Sequence, residues 1–191
     1  MNFKELSIQC RTYRRFSQKP IDSAILQELM ENVRIISSAM NGQVLRYVLV
    51  KDPSLVKELQ PAIHWAAALP KELGTPKEGE QPVAFILVCK EGRGNPWDDI
   101  DAGMAVRNIA LNACAYGIGS AILGAVEWNK VKDILSVPDN WNPRLLMALG
   151  YPSCESHIVD LPENGSIKYY LDENKNYCVP KRALKDICIV K

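Results

Sequence analysis

The sequence predicts one domain in which helices cover a central sheet, and three observations carry that prediction. The chain has 191 residues, 47% of them apolar, enough to build a single core without disulfide support. Val83 to Lys90 is a nearly unbroken apolar run of strand length, the pattern of a central strand covered on both faces. Asp101 to Tyr116 carries apolar residues on nearly every side at helical spacing, with Asp101, Asn108 and Asn112 confined to one narrow stripe. Such a helix needs burial in the fold or in an oligomer.

The remaining elements follow in order. Phe3 to Gln9 reads as a short helix, and Asp22 caps a clearer one whose apolar stripe is Ile25, Leu26, Leu29, Met30, Val33 and Ile36. Leu45 to Val50 is rich in strand formers, and Asp52-Pro53 supplies a cap and a first-turn proline for a helix through Leu59. Between Pro61 and Gln81 the signal weakens: Ala66 to Leu69 suits a helix, and the polar stretch with Gly74, Pro76 and Gly79 suits a mobile loop. Ser120 to Leu123 reads as a short strand, Trp128 to Leu135 as a helix stopped before Pro138, and Leu145 to Leu149 as another buried strand. Beyond Pro152 the chain turns polar and irregular, then closes on Pro180-Lys181-Arg182 and a strand-like Ile187 to Val190 that asks for a sheet edge to dock on.

Charge and composition narrow the function. Lysine plus arginine (23) nearly balances aspartate plus glutamate (22), so no broad field invites nucleic acid or anionic lipid, and a small-molecule partner is expected. Apolar runs stop far short of the roughly 20 residues of a membrane span, and the charged start MNFKELSIQCR lacks a secretory layout, which predicts a soluble, cytoplasmic protein. The six cysteines, at 10, 89, 114, 154, 178 and 188, contain no C-x-x-C and suit reduced core thiols. Cys154-x-x-His157 has no second ligand pair, so no metal site is expected. G-x-S-x-G and P-loop patterns do not occur, and Gly117-Ile118-Gly119 follows a helix and lacks the third glycine of a dinucleotide fingerprint.

One constellation can hold an anion. In Arg11-Thr12-Tyr13-Arg14-Arg15-Phe16 the guanidinium groups of Arg11 and Arg14 are spaced to share a helix face, with the Thr12 hydroxyl between them, and a phosphate monoester needs this combination of fixed cations and donors. The bland alternative is a solvated basic face. Gly119 to Ala125 offers backbone N–H groups with little side chain in the way, suited to a flat ring or simply to a tight connection.

RTYRRF, SSAMNGQ, DAGMAVRNIALNACAYGIGSAILGA and VPDNWNPRLLMALGYP occur in the order seen in flavin-dependent nitroreductases, and the chain resembles a short member of that superfamily. The resemblance implies an α+β fold with a mixed, mainly antiparallel sheet flanked by helices. It also implies an intertwined homodimer in which residues 153–191 of the single 1–191 domain form a tail docking on the partner. The implied cofactor is FMN, with Arg11, Thr12 and Arg14 on its phosphate, Lys181 and Arg182 returning a cation from the tail, and Arg182 the preferred of the two as a forked donor. Ser38, Asn41 and Gln43 would contact a flavin bound mainly by the other subunit, while Ile122, Leu123 and Gly124 would line the ring.

The implied activity is ping-pong transfer from NADH or NADPH through flavin N5 to a small planar acceptor such as a nitroaromatic or quinone, with no side chain in a catalytic proton-transfer role. Two alternatives stay open. One is a flavin-binding relative with another chemistry, dehalogenation or flavin cleavage, with specificity residing in Pro61 to Gln81. The other is a dimeric, non-enzymatic binding module with an eroded site.

Overall fold

The computed structural model describes residues 2–66, 69–92 and 95–191. Its main sheet has four strands in the order β1-β2-β4-β3: β1 (Leu45–Val50), β2 (Ala84–Glu91), β3 (Gly119–Leu123) and β4 (Trp141–Gly150), every neighbouring pair antiparallel. The expected central strand is β2, which pairs on both sides. Alternation along it divides the interior in two, because successive side chains leave opposite faces. Phe85, Leu87 and Cys89 join Leu123, Leu146 and Ala148 in one core, which α3 (Pro53–Leu59) and α6 (Trp128–Leu135) cover through Val56, Leu59 and Val131. Ala84, Ile86 and Val88 join Met147 and Leu149 in the other, covered by α2 (Ser23–Arg34) through Leu26, Leu29 and Val33 and by α5 (Pro96–Ala115) through Ala102, Ala105, Val106 and Ile109. A helix layer on each face of an antiparallel sheet is the α+β class expected.

Local chemistry sets the helix starts. Asn2 and Asn95 head capping boxes with Glu5 and Asp98, fixing α1 (Phe3–Gln9) and α5; Asp22 and Asp52 accept from Ala24 N–H and from Ser54 and Leu55 N–H. The α5 helix therefore begins at Pro96, five residues before the apolar pattern suggests. Within one chain it is buried along one face, from Asp98 through Ala102, Val106 and Ile109 to Ala113, while Trp97, Ile100 and Met104 stay exposed on the other, so the all-round burial expected from the apolar pattern is not met in the single chain.

Three expectations are corrected. The helix in the weak region is α4 (Lys71–Gly74), not Ala66 to Leu69: Ala66 has φ +45°, which no helix tolerates, while Ala67 and Ala68 lie outside the described residues. The stretch after Pro152 is not irregular, since β5 (Ser156–Asp160), β6 (Tyr170–Leu171) and β7 (Tyr177–Lys181) form a second sheet in which β5 runs parallel to β7 and β6 antiparallel to it. Ile187 to Val190 forms no strand and pairs with no strand among the described residues. Residues 153–191 thus divide at the end of β7, with 182–191 exposed throughout.

Candidate functional site

The arginine segment is not helical. Helix α1 ends at Gln9, and the non-helical residues 10–17 run beside the start of β3 and the end of β4. Thr12 bridges Ser120 in parallel, Tyr13 N–H donates to Ser120 O at 2.9 Å, Phe16 N–H to Glu80 O at 2.9 Å and Ser17 N–H to Tyr151 O at 2.8 Å. Two glycines make that approach possible. Gly119 and Gly150 are register partners on β3 and β4, and a Cβ on Gly119 would lie 2.7 Å from the Tyr13 ring, one on Gly150 2.9 Å from Phe16. Real Cβ atoms do not come that close, so the absent side chains let two aromatic residues sit directly on the sheet. Tyr13 and Phe16 flank Arg14 and Arg15, and their seating fixes the guanidinium groups between them.

Arg11, Thr12 and Arg14 line one cavity of about 250 Å³, together with Cys10, Arg107, Ala110, Ser120, Ile122, Tyr169, Val179 and Lys181. Four cationic side chains meet there: two from the N-terminal segment, Arg107 from α5 and Lys181 from β7. Among the described residues none of the four is ion-paired with a carboxylate. Arg11 donates one Nη to Ser7 O at 2.9 Å, and its buried Nε has no partner. Arg14 lies over the Tyr169 ring at 4.6 Å and the Tyr177 ring at 5.3 Å, a pair of aromatic faces that orients a guanidinium without neutralising it. Tyr177 is 1% exposed; burial pushes its phenol above the ordinary value while Arg14 and Arg15 pull it down. Arg15 turns away from the cavity and donates to Lys175 O, tying the second sheet to the arginine segment.

The other expected residues separate into two groups. Lys181 lines the cavity and Arg182 does not, so of the two tail cations the one preferred from its forked chemistry is the one left outside. Ser38 and Gln43 line a different groove of about 530 Å³ with Arg34, Arg46, Tyr47, Asp101 and Trp141, along the open edge of β1. Asn41 is exposed next to them. Both oxygens of the buried Asp101 carboxylate accept from Ala39 N–H at 3.1 Å, and Ser38 Oγ accepts from Gln43 N–H at 3.1 Å, so the loop is tied down although Met40, Asn41 and Gln43 all have positive φ.

The ring-lining expectation divides by strand alternation. Leu123 points into the core and can offer only backbone, Ile122 faces the cavity, and Gly124 opens onto free space where a Cβ would meet nothing. Two features escape sequence reasoning. Arg107, the sole basic residue of α5, stands in the same cavity, and that isolation in an apolar helix was its only signal. Residues 62–64 run beside 125–127 through His64 N–H to Ala125 O and Glu127 N–H to Ala62 O, both 2.9 Å, which brings the start of the weak region to the edge of Gly124. Among the described residues there is no cluster of three or more metal-ligating side chains, and no helix is long and apolar enough to cross a membrane.

Comparison with known proteins places this arrangement. An NADH dehydrogenase of Thermus thermophilus is 24% identical over 185 residues, covering 82% of this chain and 90% of its own. A nitroreductase family protein of Streptococcus pneumoniae superposes with TM-score 0.71 at 18% identity over the whole of both chains. A Desulfovibrio desulfuricans chain solved in complex with FMN superposes with TM-score 0.68 at 19% identity, covering 100% of this chain and 98% of that one. The nitroreductase family model matches residues 9–151, from the arginine segment to the end of the main sheet, and on that match the chain belongs to the nitroreductase family.

Proposed function

We propose that the chain is an FMN-dependent oxidoreductase that takes reducing equivalents from NADH or NADPH and passes them to a small planar acceptor such as a nitroaromatic or quinone. The observation that carries this reading is the excess of positive charge in the 250 Å³ cavity, where Arg11, Arg14, Arg107 and Lys181 have no carboxylate partner among the described residues. Unpaired cations held close together are costly unless an anion joins them, and a phosphate monoester with nearly two negative charges suits the space. Arg11, Thr12, Arg14 and Lys181 would hold the phosphate, and the exposed face of β3 past Ile122 to Gly124 would leave the flat ring its approach. FMN, when bound, supplies two-electron transfer between reductant and acceptor. The protein's part is to fix that group, stabilise negative charge and keep one face open, so reductant and acceptor use the same place in turn. No side chain is assigned a proton-transfer role.

The active form is a homodimer in this reading. Of the two edges of the main sheet, that of β3 is covered by the arginine segment, whereas that of β1 is open and lined by the 530 Å³ groove. The exposed residues 182–191 carry Ile187, Ile189 and Val190 near their end, and α5 leaves Ile100 and Met104 uncovered. A second copy whose tail lies along β1 accounts for both, and would bring Ser38, Asn41 and Gln43 to the partner's flavin. The flavin assignment is tested by the visible spectrum of purified protein: a flavin band that bleaches with anaerobic NADH is expected, and protein that stays colourless after FMN is added contradicts it. Steady-state rates give parallel double-reciprocal lines if the two substrates alternate. Removing residues 182–191 is expected to yield monomer by sedimentation; a stable dimer without them removes the tail from the interface.

A further inference from the structure

Arg107 lies 92 residues beyond Arg15 in the sequence, yet its guanidinium borders the same cavity as Arg11 and Arg14. Its only hydrogen bond among the described residues goes from Nη1 to Cys10 Sγ at 3.3 Å, and Cys10 is buried. A thiol sulfur is a weak acceptor, and no other described group accepts from this guanidinium, which is exposed and borders a second groove beside Gly103 and Met104 as well as this cavity. No described carboxylate pairs with it, although Asp98, Asp99 and Asp101 stand on the same helix; they bond instead to Asn95 N–H, Arg144 and Ala39 N–H. The face of α5 that meets the cavity is Arg107 and Ala110, three residues apart, with Cys114 one turn further on. Ala110 is small and buried, which leaves depth for an anion under the Arg107 side chain.

We propose that Arg107 is a phosphate-binding residue, a fourth cation that α5 adds to those of the N-terminal segment and β7, and that it sharpens the preference for phosphorylated over unphosphorylated flavin. The proposal rests on the reading of this cavity as the FMN phosphate site. Three separate elements then converge on one dianion, so the guanidinium exchanges a poor sulfur acceptor for a charged oxygen, the stronger type of hydrogen bond. Arg107 touches only the phosphate end of the ligand, so the gain belongs to FMN and not to riboflavin.

The test is calorimetric titration of the full-length apoprotein with FMN and, separately, with riboflavin, for wild type, R107Q, R107K and R14A. R107Q is expected to weaken FMN about tenfold, the scale of one charge-assisted hydrogen bond, while riboflavin changes less than about twofold. R107K, which keeps the charge, recovers most of the loss. If R107Q binds FMN as tightly as wild type while R14A does not, Arg107 is removed from the site and the phosphate reading stands. An equal loss for FMN and riboflavin in R107Q overturns the proposal in favour of an effect on the fold. If neither R107Q nor R14A alters FMN binding, the phosphate lies elsewhere and the proposal falls with the reading beneath it.

Discussion

The groove along β1 and the cavity under the arginine segment are both lined by charge, and they treat it in opposite ways. In the 530 Å³ groove along β1, Arg34 is bonded to Glu31, Arg46 to Glu91, and Asp101 to the Ala39 N–H. In the 250 Å³ cavity under the arginine segment, Arg11, Arg14, Arg107 and Lys181 meet carbonyl, aromatic and thiol groups but no described carboxylate. Folding alone accounts for the first set, because each charge has its counter-charge or donors in the same chain. It leaves the second in deficit, and a deficit of counter-charge is what a ligand makes good. On the reading proposed above, the larger groove would take a segment of protein and the smaller cavity an anion.

The largest effect expected from breaking that contrast is at Arg14. Arg14→Ala should weaken FMN by on the order of 1.5–3 kcal/mol, the range for a hydrogen bond to a charged group, measured by calorimetry. Unchanged affinity would mean that Tyr169 and Tyr177 hold Arg14 for packing alone. Next comes Asp101→Ala, which strands the Ala39 N–H and should lower stability by about 1–3 kcal/mol in urea unfolding. A neutral result would show the 38–43 loop to be held by Ser38 without it.

A smaller effect is expected at Tyr47, whose phenol is pushed up to about 12 from 10.0, mainly by burial and then by the Asp101 charge. Because the fold favours the protonated form, this contribution is intact below pH 10 and is lost as the pH rises from 10 towards about 12. Tyr47→Phe should therefore flatten the alkaline decline in urea midpoint over that window, and an unaltered slope would show the phenol to be freely ionising. The smallest effect belongs to Arg34→Ala. Both partners are on the surface, so no resolvable change in urea midpoint and no change in FMN affinity are expected. A clear loss of FMN there would erase the distinction between the two concavities.

How much of this was legible in the sequence follows from how local each signal is. Phe3 to Gln9, Leu45 to Val50, Pro53 to Leu59 and Trp128 to Leu135 are set by caps and periodicity within a few residues, and they stand where the pattern puts them. The pairing of β5 with β7 joins Ser156 to Tyr177, 21 positions apart in a largely polar stretch, and no residue of β5 is buried, so neither composition nor alternation marks it. At the site, Arg11 and Arg14 were visible by their spacing, but the reason they converge is not the helix that spacing suggests. A non-helical stretch places them, held by Ser120, Glu80 and Tyr151 from three distant segments. That Lys181 borders the cavity while Arg182 does not follows from where β7 ends against β5, which the chemistry of the two head groups does not reveal. Arg107 needed the fold itself to reach its place.

The Gly119–Gly150 pair has a consequence for how this site can change. A single methyl group at either position would collide with Tyr13 or Phe16 and push on the chain between them, which carries Arg14 and Arg15, while altering no charge. Gly150→Ala would thus read out as a loss of grip on an anion from a residue that touches none, and a screen confined to basic side chains would overlook the two missing carbons on which their aim depends.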